Sequence, residues 1–136
     1  MKDRGFSLIE LLVVIAIIGI LASLAMAAFS QVQKRARDTR RVEDMNSVAK
    51  ALALYDVNVG QFPVSVSPTT LTGSDAVSLA LIAQGTIPAV PRDLSSPVHE
   101  YTYQSNAQGN TYTLTFCLDT DTIKGYVMGC TNTMTP

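Results

Sequence analysis

Tryptophan is absent from this chain of 136 residues, and histidine occurs once, at His99. Cysteine occurs twice, at Cys117 and Cys130. One histidine and two cysteines are too few for a structural zinc site made of those residues alone. The chain has no glycine-rich phosphate loop, no H-E-x-x-H and no nucleophile elbow. His99 has no serine, cysteine or carboxylate at a spacing that signals nucleophilic catalysis. Its place ahead of a strand marks it as a surface or turn residue. These absences argue against any catalysis by the chain itself and call for no cofactor. Charge is scarce too. Charged residues make up 15 % of the chain and the net charge is −1, a balance that argues against a general nucleic-acid binder. No proline precedes Pro63, so no ring interrupts a helix in the first part of the chain.

What the chain has instead is a long apolar run. From Phe6 to Phe29 the only formal charge is Glu10. As a helix this run is about 36 Å long, enough to cross a hydrocarbon core of about 30 Å. A carboxylate inside such a run costs on the order of 2.5 kcal/mol at a bilayer centre and less near an interface, which makes Glu10 a candidate functional residue. Gly19, Ser23 and Ala27 fall four apart on one helix face, a spacing that lets helices approach closely. The same small residues are also common in any membrane helix.

The leader Met1–Gly5, followed by Phe6-Ser7-Leu8-Ile9-Glu10-Leu11-Leu12-Val13-Val14-Ile15, resembles the N-terminus of type IV pilins and type II secretion pseudopilins. The resemblance covers about residues 4–29. It implies cleavage by a prepilin peptidase between Gly5 and Phe6, and methylation of the new amino terminus at Phe6. It also implies a partner for Glu10, the α-amino group of Phe6 on a neighbouring subunit. The family often has proline where this chain has Ala27, so a straighter first helix is expected here, with Gly19 its one weak point. A rival reading takes the run as a secretory signal cut after Ala25-Met26-Ala27. The length of the run and the position of Glu10 oppose it.

Beyond Phe29 the pattern becomes amphipathic. Val42, Met45, Val48, Ala49, Leu52, Tyr55 and Val59 recur at steps of three and four. The helix is expected to continue to about Asn58 and to stop at Gly60. At the junction lies a basic cluster, Lys34, Arg35, Arg37, Arg40 and Arg41. It reads either as a solvated helix face or as a contact with neighbouring subunits or lipid headgroups. Five basic residues after the span outweigh Lys2 and Arg4 before it, so charge counting alone would hold the head in the cytoplasm. The leader resemblance and the cysteine pair favour the head outside, and that orientation is adopted.

The remainder is a small head. Phe62 is expected to fold back onto the helix stripe, and 64–73 reads as a loop. Ser74 reads as the N-cap of a short helix over about Asp75–Gln84. Tyr101 and Tyr103 share a strand face, Asn106–Asn110 is a hairpin turn, and Tyr112, Leu114, Phe116 and Leu118 alternate inward, with Cys117 on the other face. A third strand is expected at Tyr126–Cys130. A turn at 122–125 would set Cys117 opposite Cys130, and a disulfide there would contribute roughly 3 kcal/mol, whereas a tighter turn at Asp119–Lys124 would pair Cys117 with Tyr126 instead. Asp119 and Asp121 are weak calcium candidates that lack the rest of an EF-hand loop.

The expected fold class is α+β, a long N-terminal helix packed against a small antiparallel sheet, as in type IV pilins. Its parts are a leader (1–5), a membrane or filament-core half-helix (6–29), an amphipathic half-helix (30–59) and a head (60–136). The expected function is a structural pilin subunit that polymerises through its N-terminal helix. The expected partners are other copies of the chain, the membrane before assembly, the prepilin peptidase and the assembly machinery. The expected location is the cytoplasmic membrane first, then a cell-surface or periplasmic filament. The alternatives are a major pseudopilin of a type II secretion system, or a membrane-anchored or secreted binding module. In the last, the basic cluster would be the only support for DNA capture.

Overall fold

The computed structural model describes residues 7–136, apart from the side chain of Ala27. Its elements are α1 (Leu8–Val59), β1 (Thr69–Thr70), α2 (Ala76–Ala83), β2 (Thr102–Ser105), β3 (Tyr112–Leu118) and β4 (Gly129–Met134). The chain divides into two compact units, Met1–Lys34 and Arg35–Pro136, so α1 contributes to both. The architecture is α+β.

In the first unit the apolar side chains of α1 face outward. Leu8, Ile9, Leu12, Ile15, Ile20, Leu24 and Met26 are all more than half exposed. An 18-residue window of the helix reaches a mean hydropathy of 2.8 with none of it buried, so the helix is long and apolar enough to cross a membrane. Gly19 does not interrupt it. The Ser23 hydroxyl donates to the Ile20 carbonyl at 2.7 Å, which keeps this polar group satisfied inside an apolar run.

In the second unit α1 turns amphipathic and becomes one wall of the core. Met45, Val48, Ala51 and Leu52 are buried, while Val59 at the end of the stripe is exposed. The helix ends at Gly60, whose N–H bonds the Asp56 carbonyl at 2.7 Å. Gly60 adopts φ 86°, the left-handed cap that glycine takes without strain.

The other wall is a four-stranded antiparallel sheet in the order β1-β2-β3-β4. Alternation on β3 sends Tyr112, Leu114, Phe116 and Leu118 into the core, and Tyr103 joins them from β2. Each such burial is worth about 1.5–3 kcal/mol. Phe62 folds back as expected and meets the Tyr112 ring edge-on at 4.8 Å. The Tyr103 hydroxyl donates to the Pro63 carbonyl at 2.6 Å.

Four expectations need correction. Segment 64–73 contains β1, which pairs Thr69 with Tyr103 and Thr70 with Thr102. Two residues are too few to show a period in sequence. The N-cap of α2 is Asp75, not Ser74. The Asp75 carboxylate accepts from the N–H of Ser78 at 2.9 Å and reaches back to the N–H of Thr72 at 2.7 Å, tying loop to helix. The last strand begins at Gly129 rather than Tyr126. The buried Asn132 amide accepts from Val127 N–H at 2.9 Å and donates to the carbonyls of Val127 and Gly129 at 2.8 and 2.9 Å, so a side chain takes over the bonds a ladder would make. Finally, Cys117 is buried rather than turned out with the threonines. The register changes between Phe116↔Asn132 and Leu118↔Gly129, and this bulge breaks the alternation at Cys117.

Gly109 in the β2–β3 turn sits at φ 66°, and a Cβ there would lie 2.7 Å from the Phe62 carbonyl oxygen. Its own carbonyl accepts the Phe62 N–H at 2.8 Å. The substitution Gly109→Ala is therefore expected to destabilise the head by about 1–3 kcal/mol, read as a lower thermal midpoint. An unchanged midpoint would mean that the turn yields without cost.

Candidate functional site

The most densely bonded place in the 35–136 unit is Arg41. Sequence placed it in a basic cluster read either as a solvated helix face or as a contact with subunits or lipid. The structure instead buries it to 2 % exposure. Its Nε donates to Asp93 Oδ2 at 2.6 Å and its Nη2 to Asp93 Oδ1 at 3.3 Å, a two-pronged grip. Nη1 donates to Asp38 Oδ1 at 3.0 Å and lies 3.2 Å from Asp119 Oδ2. Nη2 also donates to Ser95 Oγ at 3.0 Å and sits 2.9 Å from His99 Nδ1. A guanidinium only donates, so Nδ1 of His99 is the acceptor.

The carboxylates are satisfied from their other sides as well. Asp38 accepts from the Asp119 N–H at 2.8 Å and from the Thr120 hydroxyl at 2.7 Å. Asp119 accepts from Arg37 Nε and Nη2 at 3.2 and 3.1 Å. Among the described residues no buried side-chain nitrogen or oxygen lacks a partner. One cation thus ties α1, the turn at 93–99 and the end of β3 together. Removing water makes such a cluster costly to assemble and costly to break.

Burial alone would raise the Asp119 pKa, but the Arg41 and Arg37 guanidinium groups hold it below the usual carboxylate range. Burial likewise opposes ionisation of Asp75, and the bonds from Ser78 and Thr72 more than offset it. Both folded values are depressed, so both contribute stability that is present above the ordinary carboxylate pKa of about 3.9 and is lost as pH falls through the lower folded values. The thermal midpoint of the head is expected to drop as pH falls below about 4. A flat profile there would deny the two carboxylates this role. Asp44 opposes the trend, since burial raises it despite the 2.9 Å bond from the Tyr101 hydroxyl.

The remaining candidate residues are dispersed. Glu10 is exposed in the first turn of α1. Gly19 and Ser23 are exposed on the same helix, and the side chain of Ala27, like Gly5 and Phe6, lies outside the described residues. Arg35 and Arg40 are exposed, Lys34 is half-buried, and Arg37 is engaged by Asp119. The weak calcium pair is otherwise employed. Asp119 faces two guanidinium groups, and Asp121 Oδ1 accepts the Met128 N–H.

Cys117 and Cys130 form a disulfide with their Cα atoms 3.9 Å apart. It joins β3 to β4 where the register changes. His99 lies beside it, with a ring nitrogen within 4.8 Å of both sulfurs. These three are the only His, Cys, Asp or Glu group among the described residues spaced for a metal ion, and the two sulfurs are bonded to each other.

Sequence reasoning missed Asp38, Asp93, Ser95 and Thr120 altogether. A signal for two members was present. Stepping back along the buried stripe from Leu52 through Val48 and Met45 leads in phase to Arg41 and Asp38.

Residues 1–26 match the family described as the prokaryotic N-terminal methylation motif. The type II secretion system core protein G of Escherichia coli (strain K12) is 29 % identical over 113 residues, 83 % of this chain and 72 % of that protein. The protein of the same name from Dickeya chrysanthemi is 32 % identical over 92 residues, 68 % of this chain and 54 % of that one. A fimbrial protein of Neisseria meningitidis serogroup B is 38 % identical over 61 residues, 45 % of this chain and 36 % of that one. The chain thus spans most of the first relative but only about half or less of the other two. No solved structure matches it. With a methylation-type N-terminus, one apolar helix and a disulfide-closed α+β head, the chain carries a prepilin-type N-terminal motif and is similar to type II secretion system core protein G and to type IV pilins.

Proposed function

We propose that the chain is a structural pilin subunit of a type IV pilus-like filament. It waits in the cytoplasmic membrane as a single-pass precursor with its head outside. The observation that carries this reading is an apolar helix with no cover inside the chain, placed directly behind a methylation-type N-terminus. Such a helix needs lipid or other copies of itself around it. In this reading Gly5 and Phe6 are the cleavage and methylation positions, Gly19, Ser23 and Ala27 let helices approach, and Glu10 pairs with a neighbour's amino terminus. The exposed Arg35 and Arg40 and the half-buried Lys34 are left for headgroup or subunit contact. The work of the subunit is mechanical, and the hub and disulfide give the head its rigidity.

A second reading, a major pseudopilin of a type II secretion system, is favoured by the longer match to core protein G than to the fimbrial protein. Both readings require prepilin processing. The N-terminal mass of protein from its own cells is expected to show N-methyl-Phe6. A chain starting at Ala28 would overturn both readings in favour of a secreted domain. Electron microscopy of the cell surface then separates a pilus from a filament confined to the envelope.

A further inference from the structure

The Cys117–Cys130 disulfide joins two cysteines in unlike settings. Cys117 is only 6 % exposed, and the chain just beyond it is pinned by the ionic hub. The Asp119 N–H and the Thr120 hydroxyl both donate to the fully buried Asp38. Cys130 is exposed, as is Thr131 after it. It lies on β4, the last strand of the sheet, which pairs with β3 on one side and with no described strand on the other. From Gly125 to Pro136 the chain carries no charged side chain, so nothing in that segment repels an anionic sulfur.

The bond is made from two thiols, and the fold makes those thiols unequal. Thiol–disulfide exchange proceeds by attack of a thiolate on a disulfide sulfur, so access and thiolate fraction decide which cysteine reacts first. Burial in apolar surroundings lowers the thiolate fraction and keeps a second disulfide away. An exposed sulfur on a sheet edge carries neither penalty. The Cα atoms of the two cysteines are 3.9 Å apart, so once one sulfur has reacted the other is already within reach of it.

We propose that Cys130 is the entry point for disulfide exchange in the head and that Cys117 is the thiol that completes the bond. The partner is a disulfide-carrying oxidant. In the first step the Cys130 thiolate attacks one sulfur of that disulfide. The oxidant's S–S bond breaks, and its other sulfur leaves as a thiolate. In the second step the Cys117 thiolate attacks Cys130 Sγ. The Cys117–Cys130 bond forms, the mixed bond breaks, and the oxidant's remaining sulfur leaves as a thiolate. Two electrons pass to the oxidant, and the two protons shed by the cysteines end, through water, on its two sulfurs. Opening by a thiol runs the same path backwards, with attack on Cys130 Sγ and departure of Cys117. The assignment concerns the head alone and does not rest on the filament reading.

The test uses the full chain in detergent micelles as Cys117→Ser and Cys130→Ser, with oxidised glutathione as the probe. Adduct formation is followed by intact mass after acid quenching. Cys117→Ser, whose free thiol is Cys130, is expected to form the adduct at least about ten-fold faster than Cys130→Ser. In denaturant the two rates should come within about two-fold of each other, because the difference belongs to the fold. Equal rates under native conditions, or a faster Cys130→Ser, would overturn the assignment. The parent chain gives a second measurement that does not depend on either variant folding. Its disulfide form is mixed with reduced glutathione, quenched with acid and mapped by peptide mass. Most of the trapped glutathione is expected on Cys130. A majority on Cys117, or the same split as in denaturant, would overturn the assignment as well.

Discussion

Arg41→Ala is expected to destabilise the head by about 3–5 kcal/mol, the usual consequence of removing one partner from a buried ion pair. The side chains of Asp38 and Asp93 are both fully buried, and Arg41 is the only cation either of them touches among the described residues. Truncating it leaves two carboxylates in a low-dielectric site with only the Thr120 hydroxyl and the backbone N–H groups of Ser95 and Asp119 as donors. For a unit of about 100 residues each kcal/mol moves the thermal midpoint by about 4 °C or more, so a fall of at least about 12 °C is expected. Arg41→Lys keeps the charge but cannot supply the two-pronged bond to Asp93, and it should fall between the parent and the alanine variant. Arg40→Ala is the control, since the neighbouring Arg40 is exposed and should stay within about 0.5 kcal/mol of the parent. A shift of less than about 4 °C for Arg41→Ala would mean that water enters the site and solvates the carboxylates, and the hub would then be no clamp.

That contrast between Arg40 and Arg41 shows how far the sequence could be read. The apolar run, the stripe at Met45, Val48 and Leu52, the Gly60 stop and the alternation along β3 all rest on periods of 3.6 or 2, and periods survive in a single sequence. The Cys117–Cys130 bond was expected from a turn at 122–125, and the bond is present although the strands are joined by a longer loop that turns at Ile123–Tyr126. The hub was not legible. Its members come from three separate stretches, around Asp38, Asp93 and Asp119, and nothing local marks Asp93 as the partner of a residue 52 positions earlier. Counting charge placed Arg41 among its solvated neighbours, whereas phase along the stripe would have placed it inside. The start of β4 failed for a related reason. Val127 and Met128 look like strand residues, but the Asn132 side chain takes the Val127 backbone groups and leaves that segment a loop.

Glu10→Val should leave membrane insertion intact and lower filament yield by about a hundred-fold, equivalent to about 2.7 kcal/mol. The two halves of that expectation follow from one residue in two surroundings. In lipid the carboxylate costs about 2.5 kcal/mol or less because it lies near the end of the span, and the helix N-terminus offsets about 0.3–1 kcal/mol of this. Valine is cheaper there, so precursor levels should hold or rise. In a bundle of such helices the surroundings are protein rather than headgroup and water. On the proposed reading the amino terminus of a neighbouring Phe6 then enters the same apolar core, and its charge needs a partner. Removing the carboxylate leaves an ammonium unpaired, at a cost of several kcal/mol. Glu10→Gln separates charge from hydrogen bonding, since it keeps the length and one acceptor but loses the charge. If pairing with the amine is what matters, Gln should be nearly as defective as Val. If Gln assembles normally while Val does not, Glu10 works through a neutral hydrogen bond, and if both assemble normally the proposed pairing is wrong. The readout is the ratio of sheared filament to membrane-held precursor, which separates a defect in assembly from one in insertion.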